Sequence, residues 1–293
     1  MAILSLATEV HARESPTTSP RPVPTTMPIS SITLDFDTPL DPQLQARLVA
    51  IDEQLRKRFE MTSEDTAVGV LDLRTDRAAM IHPDRIEYAA SVPKVGILLA
   101  WFEVHKDDPA ALTDEVRHAL GLMVKRSSNE MAARFSRDLG LKRIQDVLNR
   151  YGLYDASHGG GIWVGKHYGK GDERYTDPVG DPSHAATVRQ LLRFYLLLEQ
   201  GRLVSPEASK TMRAIFESPD VEHDDLKFVK ALKGRDVQII RKWGTWENWR
   251  HDTAVVRGPD RHYVLVALTE HPQGDAYLEA LALEVDDLMG GSR

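Results

Sequence analysis

Tyr88-Ala89-Ala90-Ser91-Val92-Pro93-Lys94-Val95-Gly96-Ile97-Leu98-Leu99-Ala100 is the run on which the fold turns. Its second half is apolar enough for a buried helix, and Ser91 stands where that helix opens. At a helix start the free backbone amides, that of Ser91 among them, face incoming negative charge. Lys94 follows one turn later on the same face, within reach of the serine hydroxyl. Burial and any nearby cation both lower the pKa of such a lysine toward the neutral amine that can deprotonate a serine. By itself S-x-x-K is more often a capping serine followed by a surface lysine. The pattern occurs once in the chain.

Outward from this run, periodicity divides the rest of the chain. The apolar spacing of Leu44, Leu48, Ile51, Leu55 and Phe59 predicts an amphipathic helix over 42–59. Two β-type runs, 66–73 and 78–82, read as a hairpin across Arg74-Thr75-Asp76-Arg77. Helical spacing continues over 91–105, 112–122, 129–139 and 141–151, with Gly140 and Gly152 as stops. Residues 154–182 are aperiodic and rich in Gly, Asp, His and Tyr; loops of that length inside a domain are usually functional. Helices are predicted again at 184–200 and 206–216, strands at 237–243, 252–257 and 262–269, and a last helix at 276–289. Strands at both ends around a helical middle imply an α+β fold: an antiparallel sheet faced by helices, with an inserted all-helical lobe. Residues 1–40, with Ser15–Pro28 dense in Pro, Thr and Ser, are expected to be a disordered tail, leaving 41–290 as the folded domain.

Two further segments carry chemistry. Ser127-Ser128-Asn129 falls between two predicted helices, where the Ser127 hydroxyl could relay a proton to a leaving group and Asn129 could hold a substrate amide. Taken singly, it is a helix N-cap with polar neighbours. Lys242-Trp243-Gly244-Thr245 ends a β-type run. A strand edge beside the nucleophile can offer a backbone amide, here that of Thr245, as a second oxyanion donor. Gly244 permits the close approach, and Lys242 adds positive charge for an anionic substrate.

Together, S-x-x-K opening a helix, S-x-N between helices and K-x-G on a late strand resemble the class A serine β-lactamases and the related penicillin-binding D,D-peptidases. The likeness covers about residues 41–290. Tyr88-Ala89-Ala90-Ser91, Asn129-Glu130-Met131-Ala132 and Arg250-His251-Asp252-Thr253-Ala254-Val255 are similar to the segments that surround those motifs in the family. The resemblance implies a covalent acyl-enzyme on Ser91 and gives Arg250 a part in binding the substrate carboxylate. Three departures stand out. Ser128 occupies the place of the family's aspartate, and Trp243 that of the threonine in K-T-G, where an indole would crowd the subsite. The E-x-x-L-N string, whose glutamate activates water for deacylation, is missing. Glu173 is the nearest candidate base, with Asp172 and Asp177 behind it. Without a positioned base, deacylation slows by about 10²–10⁴-fold.

Composition narrows the alternatives. The chain has 293 residues, 42% apolar and 28% charged, as expected of a globular protein with a sizeable core. Its 37 basic and 44 acidic side chains, net −7, offer no basic face for nucleic acid. The absence of cysteine excludes disulfides, thiolate metal sites and a cysteine nucleophile. No apolar run of about 18 residues exists to span a membrane. The start, MAILSLATEVHARES, lacks the basic n-region of a leader, which reads as cytoplasmic unless the start codon is misassigned. Eleven histidines without H-x-x-x-H or H-x-H spacing make a metal site unexpected, and the chemistry needs no cofactor. Gly159-Gly160-Gly161 reads as a flexible loop, and Trp243, Trp246 and Trp249 as either core or the wall of an aromatic pocket. The readings left open are a β-lactamase-like hydrolase, a D,D-peptidase or esterase-like enzyme with slow deacylation, and a ligand-binding pseudoenzyme. The ligand is a small, anionic molecule in each; the sequence leaves oligomeric state undetermined.

Overall fold

Strands from the two ends of the chain meet in one antiparallel sheet, whose central strands near the chain's two ends are buried on both faces and must be covered from both sides. The computed structural model describes residues 30–169 and 174–291. In chain order the elements are α1 (Pro42–Arg58), β1 (Thr66–Asp72), β2 (Arg77–Ile81), β3 (Glu87–Tyr88), α2 (Lys94–Val104), α3 (Asp114–Lys125), α4 (Asn129–Leu139) and α5 (Leu141–Arg150). Short strands β4 (Tyr154–Asp155), β5 (Gly160–Gly161), β6 (Trp163–Val164) and β7 (His184–Ala186) follow, then α6 (Val188–Glu199), α7 (Pro206–Glu217) and α8 (Lys227–Ala231). The chain closes with β8 (Gln238–Trp246), β9 (Trp249–Arg257), β10 (His262–Glu270) and α9 (Gly274–Met289).

The main sheet has the order β2-β1-β10-β9-β8. On β10, Tyr263, Leu265 and Ala267 face one core, which α1 and α9 complete through Leu48, Leu55, Leu278, Leu281 and Val285. Their neighbours Val264, Val266 and Leu268 alternate onto the opposite core, shared with α6 and the helical lobe. Gly69 on β1 shows how close that second face packs: a Cβ there would lie 2.5 Å from Val188 and 2.7 Å from Leu192. Helix α2 runs through the lobe with Lys94 to Glu103 all buried.

Three boundaries differ from expectation. Residues 30–40, assigned to the tail, pack on the domain: Leu34 is buried, Arg189 and Arg193 donate to the carbonyls of Asp35 and Leu34, and Gln200 to those of Ser30 and Ile32. The partners lie on and just beyond α6, too far along the chain for local pattern to reveal. Ser15–Pro28 lies outside the described residues. Helix α6 begins at Val188, capped by Thr187, which accepts from the Gln190 amide. His184–Ala186 is instead a strand between β3 and β6. Ser91 to Pro93 form a turn ahead of α2, so Ser91 sits just outside the helix.

Arg241 on β8 and Asp252 on β9 form an ion pair with both side chains fully buried, 3.0 Å apart. Arg241 also donates to the carbonyls of Asp224 and Leu226, and Asp252 accepts from the Phe228 amide. The pair thereby ties the segment before β8 to the sheet. Removing one partner leaves an uncompensated buried charge, which costs about 3–5 kcal/mol. Asp252→Ala is therefore expected to lose that much in urea denaturation; a loss under about 1 kcal/mol would contradict this role.

Candidate active site

The chain reaches the cleft in two left-handed backbone steps. Ala90, immediately before Ser91, has φ +48°, and Ser127 has φ +56°. Non-glycine residues in this region cost about 1–2 kcal/mol each, so the surrounding contacts must hold them there. Three contacts do so at Ser91. The Ala89 amide donates to the His184 carbonyl, the Val92 amide donates to the Ala89 carbonyl, and the Tyr168 hydroxyl donates to the Ala90 carbonyl at 3.2 Å.

Four oxygen atoms of three residues then converge on one amine. Lys94 Nζ lies 3.0 Å from Ser91 Oγ, 2.7 Å from the Ser127 carbonyl, 3.4 Å from Ser127 Oγ and 2.7 Å from Asn129 Oδ1. It also stands 4.4 Å above the Tyr168 ring. The side chain is fully buried, and burial pulls its pKa down to about 7. Ser127 Oγ is shared with a second amine: Lys242 Nζ approaches it to 2.7 Å and donates to the Trp243 carbonyl at 2.6 Å. Burial, reinforced by Lys94 and Arg241, pushes the Lys242 ammonium well below its ordinary range. Serine 127 thus sits between two amines that disfavour each other's charge.

Strand β8 is the outer strand of the sheet and brings Gly244 against the Ala89–Ser91 segment. A Cβ on Gly244 would lie 2.7 Å from the Ala89 carbonyl oxygen and 3.0 Å from the Ser91 amide nitrogen. The β8–β9 hairpin closes through the pair Trp246–Trp249 around a two-residue turn. In such a ladder alternate residues turn their amides outward, and Thr245, next to the closing pair, belongs to the outward set. Lys227, from α8, supports this edge from behind: its buried Nζ donates to the Gly244 carbonyl, Thr245 Oγ1 and the His251 carbonyl at 2.7, 2.7 and 3.1 Å. Burial lowers its pKa to about 8.

The cleft has a volume of about 440 Å³. Ser91, Asn129 and Thr245 line it together with the aromatic Tyr88, Trp246 and Trp249 and with Lys166, Tyr168, Arg174 and His184. His184 stacks on Tyr168 with ring centroids 4.2 Å apart, and burial drives its pKa to about 3, so the imidazole is neutral. No carboxylate lines the cleft among the described residues.

Ser91, Lys94, Ser127, Asn129, Lys242, Gly244 and Thr245, drawn from distant stretches, therefore meet in one place. Three other expectations are placed differently. Arg250 turns toward α9, its Nε 3.4 Å from Asp275, and donates to the carbonyls of Glu247 and Trp249, away from the cleft lining. Asp177 is buried and accepts from Tyr154 Oη and the amides of Val179 and Gly180, a loop-holding role far from a water-activating one. Trp243 does not crowd the cleft: its indole donates to Asp224 and lies over the Lys227 and Lys242 amines. Glu173 and Asp172 lie outside the described residues. Tyr168, His184 and Lys227 have no short-motif signal; the first two sit in or beside the aperiodic stretch, and Lys227 opens a five-residue helix that periodicity cannot detect.

The sequence profile described as the β-lactamase enzyme family matches residues 115–285, and the chain belongs to that family. Among curated proteins it resembles "Putative lipoprotein LppW" of Mycobacterium tuberculosis and of Mycobacterium bovis, each 26% identical over 226 residues. The match covers 73% of this chain and 66% of theirs, so the chain spans a little under two thirds of those relatives' length. Its fold is shared with a β-lactamase from Sphaerobacter thermophilus (TM-score 0.66, 15% identity, 84% of this chain and 97% of the other). It is likewise shared with a class A β-lactamase from Mycobacterium abscessus (0.65, 17%, 83% and 100%) and with PBP-A (0.62, 16%, 82% and 96%).

The Gly244 contact generates a test. Gly244→Ala must push β8 off the nucleophile segment by part of an ångström, and displacements of that order cost about 10²-fold in rate. Acylation by a fluorescent penicillin or an activated ester is expected to fall by about that factor while the circular dichroism spectrum is kept. Unchanged acylation would show that the edge amide is not used.

Proposed function

We propose that the protein is a serine hydrolase that forms an acyl-enzyme from a β-lactam or a related amide or ester. The observation that carries this reading is the buried Lys94 amine, 3.0 Å from Ser91 Oγ, with a pKa of about 7. Half of such amines are neutral near pH 7, so a base is available where the hydroxyl needs one. Lys94 takes the Ser91 proton as Oγ bonds to the carbonyl carbon. The oxygen gains negative charge between the amides of Ser91 and Thr245. Ser127 gives its proton to the departing nitrogen or oxygen as that bond breaks, and recovers one from the neighbouring amine. The Asn129 carboxamide, whose Oδ1 is held by Lys94, keeps its NH₂ for a substrate carbonyl.

Charge favours an anionic substrate. The buried groups contribute little of it, since Lys94, Lys242 and Lys227 are pushed toward the neutral amine and Arg241 is held by the buried Asp252. Lys166 and Arg174 add two cations to the rim. The recognition expected of Arg250 would then fall to Thr245, backed by Lys227, and to this rim. A slow-deacylating, penicillin-binding character is favoured by the sequence, which lacks the E-x-x-L-N string that supplies the family's deacylating glutamate. Tyr168 cannot substitute as base, since burial raises its pKa well above the ordinary value. The relatives' description as lipoproteins favours an envelope setting, where cell-wall peptides and β-lactams are met.

Incubation with a fluorescent penicillin and a chromogenic cephalosporin is expected to give a covalent adduct by protein mass in the wild type and none in Ser91→Ala. Adduct or turnover that survives Ser91→Ala contradicts the reading. Because the lysine pKa is lowered, its neutral form grows as pH rises. The acylation rate should therefore climb through about pH 7 and level off above it. A profile flat from pH 5 to 9 would exclude Lys94 as the base.

A further inference from the structure

Lys94 is fully buried, yet three of the residues that touch its amine also line the cleft: Ser91, Asn129 and Tyr168. Ser91 and Asn129 offer the amine oxygen atoms. Tyr168 turns a ring to it, with Nζ 4.4 Å from the centroid, and so stands as an apolar wall between the amine and cleft water. The wall is itself held. Its hydroxyl donates to the Ala90 carbonyl at 3.2 Å, and the His184 imidazole stacks on the ring with an interplanar angle of 1°. The His184 carbonyl accepts from the Ala89 amide, so β7 steadies both the ring and the turn into Ser91.

Such a wall acts on an amine in two opposed ways. It withholds water, which disfavours the ammonium, while its π face attracts a cation. The ionisable groups around this one are Lys242, which shares Ser127, the neutral His184, and Tyr168 with Tyr88 beyond it. Burial raises both tyrosines above their ordinary range, so they keep their protons. Among the described residues none of these groups supplies a negative charge to hold the proton on Lys94, and the withheld water prevails. Resting on the acyl-enzyme reading above, we propose that Tyr168 is a positioning residue. Its ring seals Lys94 from the cleft and keeps the amine able to accept the Ser91 proton, and its hydroxyl fixes the turn that presents Ser91. Substitution separates the two parts, because Phe keeps the seal and loses the hydrogen bond, while Ala loses both.

The ionisation of Lys94 reads the seal directly, by NMR titration of ε-¹³C-lysine in the wild type and in Tyr168 variants. From a wild-type midpoint near 7, Tyr168→Phe should not move, and Tyr168→Ala should rise to about 8 as water reaches the ammonium. The neutral fraction at pH 7 then drops about fivefold, and acylation by a fluorescent penicillin climbs at correspondingly higher pH. Tyr168→Phe should instead slow acylation about threefold to tenfold at every pH, with the midpoint of the profile kept. A Tyr168→Ala midpoint at or below that of wild type overturns the seal. So does a rise in Tyr168→Phe as large as that in Tyr168→Ala. Should Tyr168→Ala lose the native circular dichroism spectrum, Tyr168→Val carries the same test with the same expected direction. The titration needs no turnover: if penicillin labels neither wild type nor variants while the midpoints move as expected, the hydrolase reading fails and the seal stands.

Discussion

One buried amine organises the site. Lys94 Nζ is held by the Ser127 carbonyl and Asn129 Oδ1 while it reaches Ser91 Oγ, so Ser91, the loop before α4 and the start of α2 are fixed by a single nitrogen. A lysine there is expensive to keep charged, because it is out of water and shares Ser127 with Lys242. The fold resolves this by neutralising an amine rather than by supplying a carboxylate. An amine that is partly neutral near pH 7 is the direct consequence, and the proposed chemistry draws on it.

The left-handed steps at Ala90 and Ser127 fit the same constraint. Each turns the chain sharply, so that a hydroxyl faces Lys94 instead of continuing along a helix or strand. Tyr168, His184 and the edge of β8 hold the first step from outside. A site built this way depends on close approach at Gly244 and on the Arg241–Asp252 pair that anchors the sheet edge and the segment before it.

Much of this was legible in the sequence, for identifiable reasons. Long amphipathic or apolar segments such as 42–59, 129–139 and 262–269 carry strong periodicity, and they emerge within a residue as α1, α4 and β10. The convergence of Ser91, Lys94, Ser127, Asn129, Lys242 and Gly244 was legible because each belongs to a short motif whose spacing has a geometric reason. What stayed hidden depends on contacts between distant residues. The packing of Leu34 beneath α6, the strand at His184–Ala186, the support from Lys227 and the rotation of Arg250 toward Asp275 leave no local pattern. Trp243 was misread for a related reason: its type was visible, but the partner that draws it aside, Asp224, lies nineteen residues away.

The most direct test of the central claim is the ionisation of Lys94 itself. With ε-¹³C-lysine labelling and Lys94→Arg for assignment, NMR titration should find the Lys94 resonance moving with a midpoint near 7. A Lys94 signal that stays fully protonated to pH 10 would mean the amine is an ordinary ammonium, and the proposed chemistry at Ser91 would lose its base.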